Sequence, residues 1–150
     1  MRKRSSRVVR RAAAPTLVAY FLNPEVSTQE RMAVEGVRAG WAMTSQFDVL
    51  ADCRDMLTLA ALERRDQQTL AVCELAGVAL TNMRVRYQER QIIGATGDEL
   101  LALRALVDVS EDFWKRQAGS VFIAAEAALT KVRAEFRETW QEQEGCDGGF

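Results

Sequence analysis

The segment Thr96–Trp114 constrains the fold more than any other, because it combines a helix start with a wide apolar stripe. Thr96 and Glu99 stand at the spacing of a capping box, in which each side chain bonds the other residue's backbone N–H. The apolar residues that follow recur every three or four positions, as on one helical face: Leu100, Leu103, Leu106, Val107, Val109, Phe113 and Trp114. A stripe this wide needs several packing partners. The pattern predicts a helix at the centre of an all-helical core.

Four further helices are predicted along the chain. The first starts at a second capping box, residues 27–30, and ends before Gly40. Thr44, Asp66 and Ser120 are expected to cap the three others. The last helix carries an apolar stripe at helical spacing: Ala125, Leu129, Val132, Phe136 and Trp140. No segment shows convincing alternation with a period of two. The fold class is therefore all-α, a single-domain bundle of about five helices.

The charges of this chain are distributed unevenly. Six cations precede the first acid, Glu25: Arg2, Lys3, Arg4, Arg7, Arg10 and Arg11. The remaining residues hold 14 basic and 21 acidic side chains. With 48% apolar residues, the 150-residue chain suits one domain with one core. We expect residues 1–14 to form a flexible basic leader, residues 15–144 the helical bundle and residues 145–150 a frayed tail.

Several classes of function are disfavoured by the composition. The chain has no histidine, the side chain most used for acid–base catalysis near neutral pH and the commonest metal ligand. Its three cysteines are never at Cys-x-x-Cys spacing, which argues against a zinc site and a disulfide framework and suits a reducing cytoplasm. Cys53 and Cys73 lie on apolar stripes and are expected to be buried. We expect no enzyme activity, no cofactor and no metal.

No apolar run approaches the roughly 18 residues that a membrane span requires. The basic start followed by residues 12–22 imitates a signal peptide, but Pro15 interrupts its apolar part and no small-x-small cleavage site follows. We therefore expect a cytoplasmic protein with no membrane partner.

Two acidic strips are candidates for binding another protein. One lies on the second predicted helix: Asp48, Asp52 and Asp55. The other lies beside the apolar stripe of the central helix: Asp108, Glu111 and Asp112. The simplest interpretation is a solvated surface. The alternative is a recognition surface for a basic partner, because complementary potentials speed encounter and fix register.

The basic leader supports a different function. Its closely spaced cations could neutralise phosphates with a salt-sensitive affinity that is independent of sequence. No aromatic residues are interleaved for base stacking, and the acidic remainder of the chain would repel nucleic acid. Nucleic-acid binding therefore stands as the alternative, through the leader residues Arg2, Lys3, Arg4, Arg7, Arg10 and Arg11.

The layout as a whole includes a basic start at residues 2–4, Pro15 ahead of the apolar segment 18–22, and the late segment Glu99–Leu103 before a helix rich in both charges. In these features the chain resembles small helical proteins carried on proteobacterial prophages and plasmids. The resemblance spans most of the chain and implies a mobile-element accessory protein. That class includes inhibitors of host defence such as anti-CRISPR proteins. The resemblance supplies no catalytic residues.

These observations together predict a non-enzymatic helical interaction protein that inhibits or regulates a host or phage protein complex. Trp41, Trp114 and Trp140 are interpreted as core or edge anchors. A partly exposed tryptophan beside an apolar helix face would also mark an interface between two copies, so a homodimer is a further expectation.

Overall fold

A computed structural model describes residues 24–146 of the chain, with the side chains of residues 25–138. It contains five helices joined by short connections: α1 (Pro24–Ala39), α2 (Thr44–Arg64), α3 (Gln67–Arg90), α4 (Gly97–Arg116) and α5 (Gly119–Cys146). The predicted fold class, a single all-α bundle, is confirmed. The leader predicted at residues 1–14 lies outside the described residues.

The helix α2 contacts each of the four other helices. Its residues Leu50 and Leu57 are completely buried, and they belong to the two halves of the core. One half includes the first part of α3, the end of α4 and the start of α5, and the other includes α1, the second part of α3 and the first part of α4. The position that we predicted for α4, at the centre of the core, is therefore occupied by α2.

The helix α4 otherwise follows its prediction closely. The Thr96 hydroxyl accepts a hydrogen bond from the Glu99 backbone N–H at 3.3 Å, and a Glu99 carboxylate oxygen accepts from the Thr96 N–H at 2.8 Å. Five of the seven stripe residues are buried: Leu103, Leu106, Val107, Phe113 and Trp114. The capping box therefore sets the register of a helix whose stripe faces the core.

The helix α1 begins earlier than its capping box predicted. Pro24 is its first residue, a position where the fixed φ of proline suits a helix and its missing N–H would have had no helical partner. Ser27 lies inside the helix and its hydroxyl donates to Glu111 of α4 at 3.3 Å. Glu30 is buried. The prediction of a cap at residues 27–30 was wrong because proline had already started the helix.

Two other helix starts differ from the predictions by one or two residues. Thr44 is the first residue of α2 and Met43 is its N-cap, with its backbone N–H donating to the Gln46 side chain at 2.8 Å. The helix α5 starts at Gly119, so Ser120 is not its cap, and it continues through Cys146, two residues beyond the expected boundary.

The N-cap of α3 is confirmed and gives a test of local stability. One carboxylate oxygen of Asp66 accepts from the Thr69 backbone N–H at 3.1 Å and the other accepts from the Thr69 hydroxyl at 2.7 Å. We expect Asp66→Ala to lower the free energy of unfolding by about 1 kcal/mol, because the first turn loses its acceptor. Urea unfolding measures the change. Asp66→Asn keeps an acceptor and should have a smaller effect, and an unchanged midpoint for alanine would contradict the capping role.

Candidate protein-binding site

The acidic strip of α2 faces α5 and is partly neutralised within the chain. Asp52 and Asp55 are half-buried and Asp48 is exposed. Arg133 of α5 forms an ion pair with Asp52 and lies 3.9 Å from Asp55. Arg54 donates to Asp55 at 3.0 Å. The outward-facing, solvated strip that the sequence suggested is therefore largely a contact between two helices.

The acidic strip of α4 is compensated by cations in a similar way. Arg31 of α1 lies 3.1 Å from Asp108 and also forms an ion pair with Glu111. The Lys115 ammonium lies 2.6 Å from Glu111. Hydrogen bonds from Lys115 and Arg31 lower the pKa of Glu111 to about 2. Glu111 is therefore charged across the physiological range and links α1 to α4.

Two of the six predicted partner-binding residues remain outside these contacts. Asp48 and Asp112 are exposed, and neither forms a salt bridge with another described residue. The role of the strips in binding a partner stays a prediction. Their charge is less available to a partner than the sequence pattern indicated, because in-chain arginines and a lysine occupy the other four carboxylates.

A buried polar cluster that the sequence analysis missed joins α1, α2 and α4. Glu30 is only 5% exposed, and it shares a hydrogen bond with Cys53, which in turn bonds Ser110. Burial raises the pKa of Glu30 to about 7, more strongly than the nearby Cys53 and Arg31 lower it. Burial also raises the pKa of the Cys53 thiol well above its ordinary value. The Cys53 thiol therefore stays protonated, and Glu30 keeps its proton below about pH 7 inside the core, where both groups join the helices.

The sequence contained a signal for this burial. Glu30 occupies the first position of an i, i+3, i+4, i+7 pattern with Ala33, Val34 and Val37, all of which are buried. Met32 is also apolar, but it lies off this face and is 57% exposed. A pattern that includes alanine would have placed the glutamate on the buried face.

An apolar groove lies open between α2 and α5. We call it the α2–α5 groove. Its apolar part consists of Leu59, Leu129, Val132 and Phe136, and its volume is about 550 Å³. Along α5 the exposed fraction rises from 9% at Leu129 to 47% at Val132 and 65% at Phe136. The stripe that we predicted for α5 thus leaves the core progressively and opens a wedge towards the end of the helix.

Charged side chains line the same groove. Among the described side chains, Arg54, Arg133 and Arg137 border it, together with a single acid, Asp55. Residues 24–146 as a whole carry 14 basic and 20 acidic side chains. The groove is therefore a positive hollow on an acidic body.

A second hollow lies between the end of α2 and the start of α5, with a volume of about 750 Å³. Its α5 wall consists mostly of alanines, together with Val121. Its exposed apolar anchor is Leu62 of α2, which is 56% exposed, and its described lining includes no aromatic side chain. We therefore consider the α2–α5 groove the better binding surface.

The remaining candidates from the sequence have mixed outcomes. Cys53 and Cys73 are buried free thiols, as predicted. Trp114 is buried, whereas Trp41 is 47% exposed and packs its ring against Gly36. The side chain of Trp140 lies outside the described side chains, and the six leader cations lie outside the described residues.

Among the side chains of residues 25–138, no three cysteines, aspartates or glutamates are arranged to hold a metal ion. None of the described helices has an apolar stretch long enough to cross a bilayer.

Known proteins give no further guide to this site. No protein-family model, curated protein or solved structure matches the chain. The likeness to mobile-element proteins therefore stays a prediction.

Proposed function

We propose that this chain is a non-enzymatic helical protein that works by binding another protein through the α2–α5 groove. The observation that carries the proposal is the exposure of Val132 and Phe136 on the wall of an apolar hollow. Covering these side chains removes apolar area from water, which is the main driving force of association. Arginines at the rim of an aromatic anchor are also typical of protein interfaces.

The core offers little support for a catalytic alternative. Every buried side-chain nitrogen or oxygen within the described residues has a hydrogen-bond partner. Among the described side chains, the one carboxyl with a strongly raised pKa, Glu30, lies in the core and lines neither hollow between α2 and α5. A perturbed carboxyl supports an enzyme only when a cleft gives substrate access to it.

The resemblance to mobile-element proteins suggests the kind of partner. We propose that it is a component of host defence or host regulation, which the bound chain inhibits or modulates. Asp48 and Asp112 are candidates for secondary contacts, since they are exposed and make no salt bridge to the other described residues.

The proposal predicts that a charge in the groove abolishes partner capture. Tagged chain is expressed in a proteobacterial host and the co-purifying proteins are quantified by mass spectrometry. We expect Val132→Asp to lower recovery of the specific partner at least about tenfold, because a carboxylate at an apolar anchor loses more than about 1.4 kcal/mol of binding.

Ile123→Asp is the matched control, because Ile123 is a β-branched residue on the same helix, 59% exposed and outside the groove. It should leave recovery unchanged. Equal recovery by both variants, or no specific partner with the wild-type chain, contradicts the proposal. Helix content measured by circular dichroism establishes that both variants are folded.

A further inference from the structure

We propose that the occupant of the α2–α5 groove is one amphipathic α-helix whose apolar stripe is flanked by acidic side chains. This inference rests on the function proposed above and specifies its partner. The shape of the groove and its charge both support this occupant.

The shape of the groove matches two turns of a helix. Leu129 and Phe136 are seven residues apart on α5, which spans about 10 Å at the rise of an α-helix. Val132 lies between them on the same wall, and Leu59 of α2 forms the opposite wall. A docked helix presents anchors at i, i+3 or i+4, and i+7, which cover the same length. The wedge is open along its side, so a helix can enter without unfolding the bundle.

The charge of the groove favours acidic flanks on the bound helix. Asp55 lies 3.0 Å from Arg54 and 3.9 Å from Arg133, and it is the acid of the described lining. Asp52, which also binds Arg133, lies outside the lining. Arg137 forms no salt bridge with the described side chains. Guanidinium groups with unused donors bind carboxylates in a bidentate way, which adds both affinity and orientation.

The local charge is opposite to the charge of the surrounding body. Long-range attraction by this acidic chain would favour a basic ligand. A preference for an acidic helix must therefore come from the groove arginines. This contrast makes the inference testable with model ligands.

The probe is a fluorescent, side-chain-stapled 14-residue helix with leucines at i, i+3 and i+7 and glutamates beside them. Its matched control has lysine in place of every glutamate. Binding to the full-length wild-type chain is measured by fluorescence anisotropy. We expect the acidic probe to bind at least about tenfold more tightly than the basic one.

Charge reversal in the groove identifies the source of the preference. Arg137→Glu should weaken the acidic probe about fivefold and strengthen the basic probe, as expected for one exposed charge pair that is inverted. Arg104→Glu makes the same change in net charge on α4, outside the groove, and should affect the two probes much less.

Three results overturn the inference: no binding of either probe, equal or tighter binding of the basic probe, or equal effects of the two reversals. Each leaves the proposed function standing, provided that Val132→Asp still abolishes partner capture. If partner capture is insensitive to Val132→Asp, the proposed function itself is wrong.

Discussion

Replacing Glu30 by glutamine should stabilise the folded chain more at pH 8 than at pH 4. We expect the change in the free energy of unfolding to be about 3 kcal/mol more favourable near pH 8. Burial raises the pKa of Glu30 from 4.5 to about 7 in the folded chain. The folded state therefore holds the proton more tightly than the unfolded state. The contribution of Glu30 to the free energy of unfolding is fully present below its pKa in the unfolded chain. This contribution is lost as the pH rises through its pKa in the folded chain. Glutamine stays neutral at every pH, so the variant does not lose this stability at high pH.

Three neighbouring groups also affect the pKa of Glu30. Arg31 on the same helix favours the charged carboxylate, whereas Glu111 on α4 disfavours it. Cys53 on α2 shares a hydrogen bond with it. The measurement is denaturant unfolding between about pH 4 and pH 8.5 for the wild type and the Glu30→Gln variant.

Glu35→Gln is the matched control on the same helix. Glu35 is exposed, and its hydrogen bond to Arg38 lowers its pKa. Its small contribution to the free energy of unfolding is therefore lost at low pH and not at high pH. A Glu30→Gln profile that runs parallel to that of the wild type would mean that Glu30 is solvated in the folded chain.

Replacing Phe113 by alanine should lower the free energy of unfolding by about 3–5 kcal/mol. The ring is 1% exposed and meets Trp114 edge to face, with 5.1 Å between centroids. Trp114 meets Phe122 of α5 at the same distance and a steep angle. The loss combines the transfer of the ring, the cavity it leaves and an aromatic contact. Urea unfolding and thermal melting measure the change.

Phe136→Ala removes the same side chain from an exposed position. Since Phe136 is 65% exposed, we expect a loss of no more than about 1 kcal/mol. Similar losses for the two variants would show that Phe136 belongs to the core, and the α2–α5 groove would then be closed in solution. The comparison therefore tests the separation between core and binding surface.

Local signals in the sequence predicted the helices well. The caps of α3 and α4 depend on residues three positions apart, and both Asp66 and Thr96 make the bonds that this spacing indicates. The buried cysteines followed from the apolar stripes on which they lie. These features need no knowledge of the tertiary arrangement.

The environment of the acidic strips could not be read from the sequence in the same way. Arg31 and Arg133 bind carboxylates that are distant along the chain. Asp108 lies 77 residues from Arg31, and Asp52 lies 81 residues from Arg133. No local pattern indicates which helix will cover a polar face. The strip of α2 looked solvent-exposed because its apolar stripe lies on the other side, yet α5 packs there through Arg133.

The exposure of the α2–α5 groove also depends on how two helices that are distant along the chain are arranged. The α5 stripe continues past Leu129 at helical spacing, which predicts packing along its whole length. The structure shows contact with α2 near Leu129 and increasing exposure at Val132 and Phe136. Sequence periodicity identifies an apolar face, but only the path of the helix shows whether that face is covered by the chain itself.

Site-directed photo-crosslinking tests the central claim, that the α2–α5 groove binds a protein, most directly. A photoreactive phenylalanine analogue is placed at position 132 in the groove, or at position 123 on the opposite side of α5, in the full-length chain expressed in a proteobacterial host. Irradiation is predicted to give a discrete covalent adduct with one protein at position 132 and none at position 123. The same adducts at both positions, or no adduct at position 132, would contradict the account.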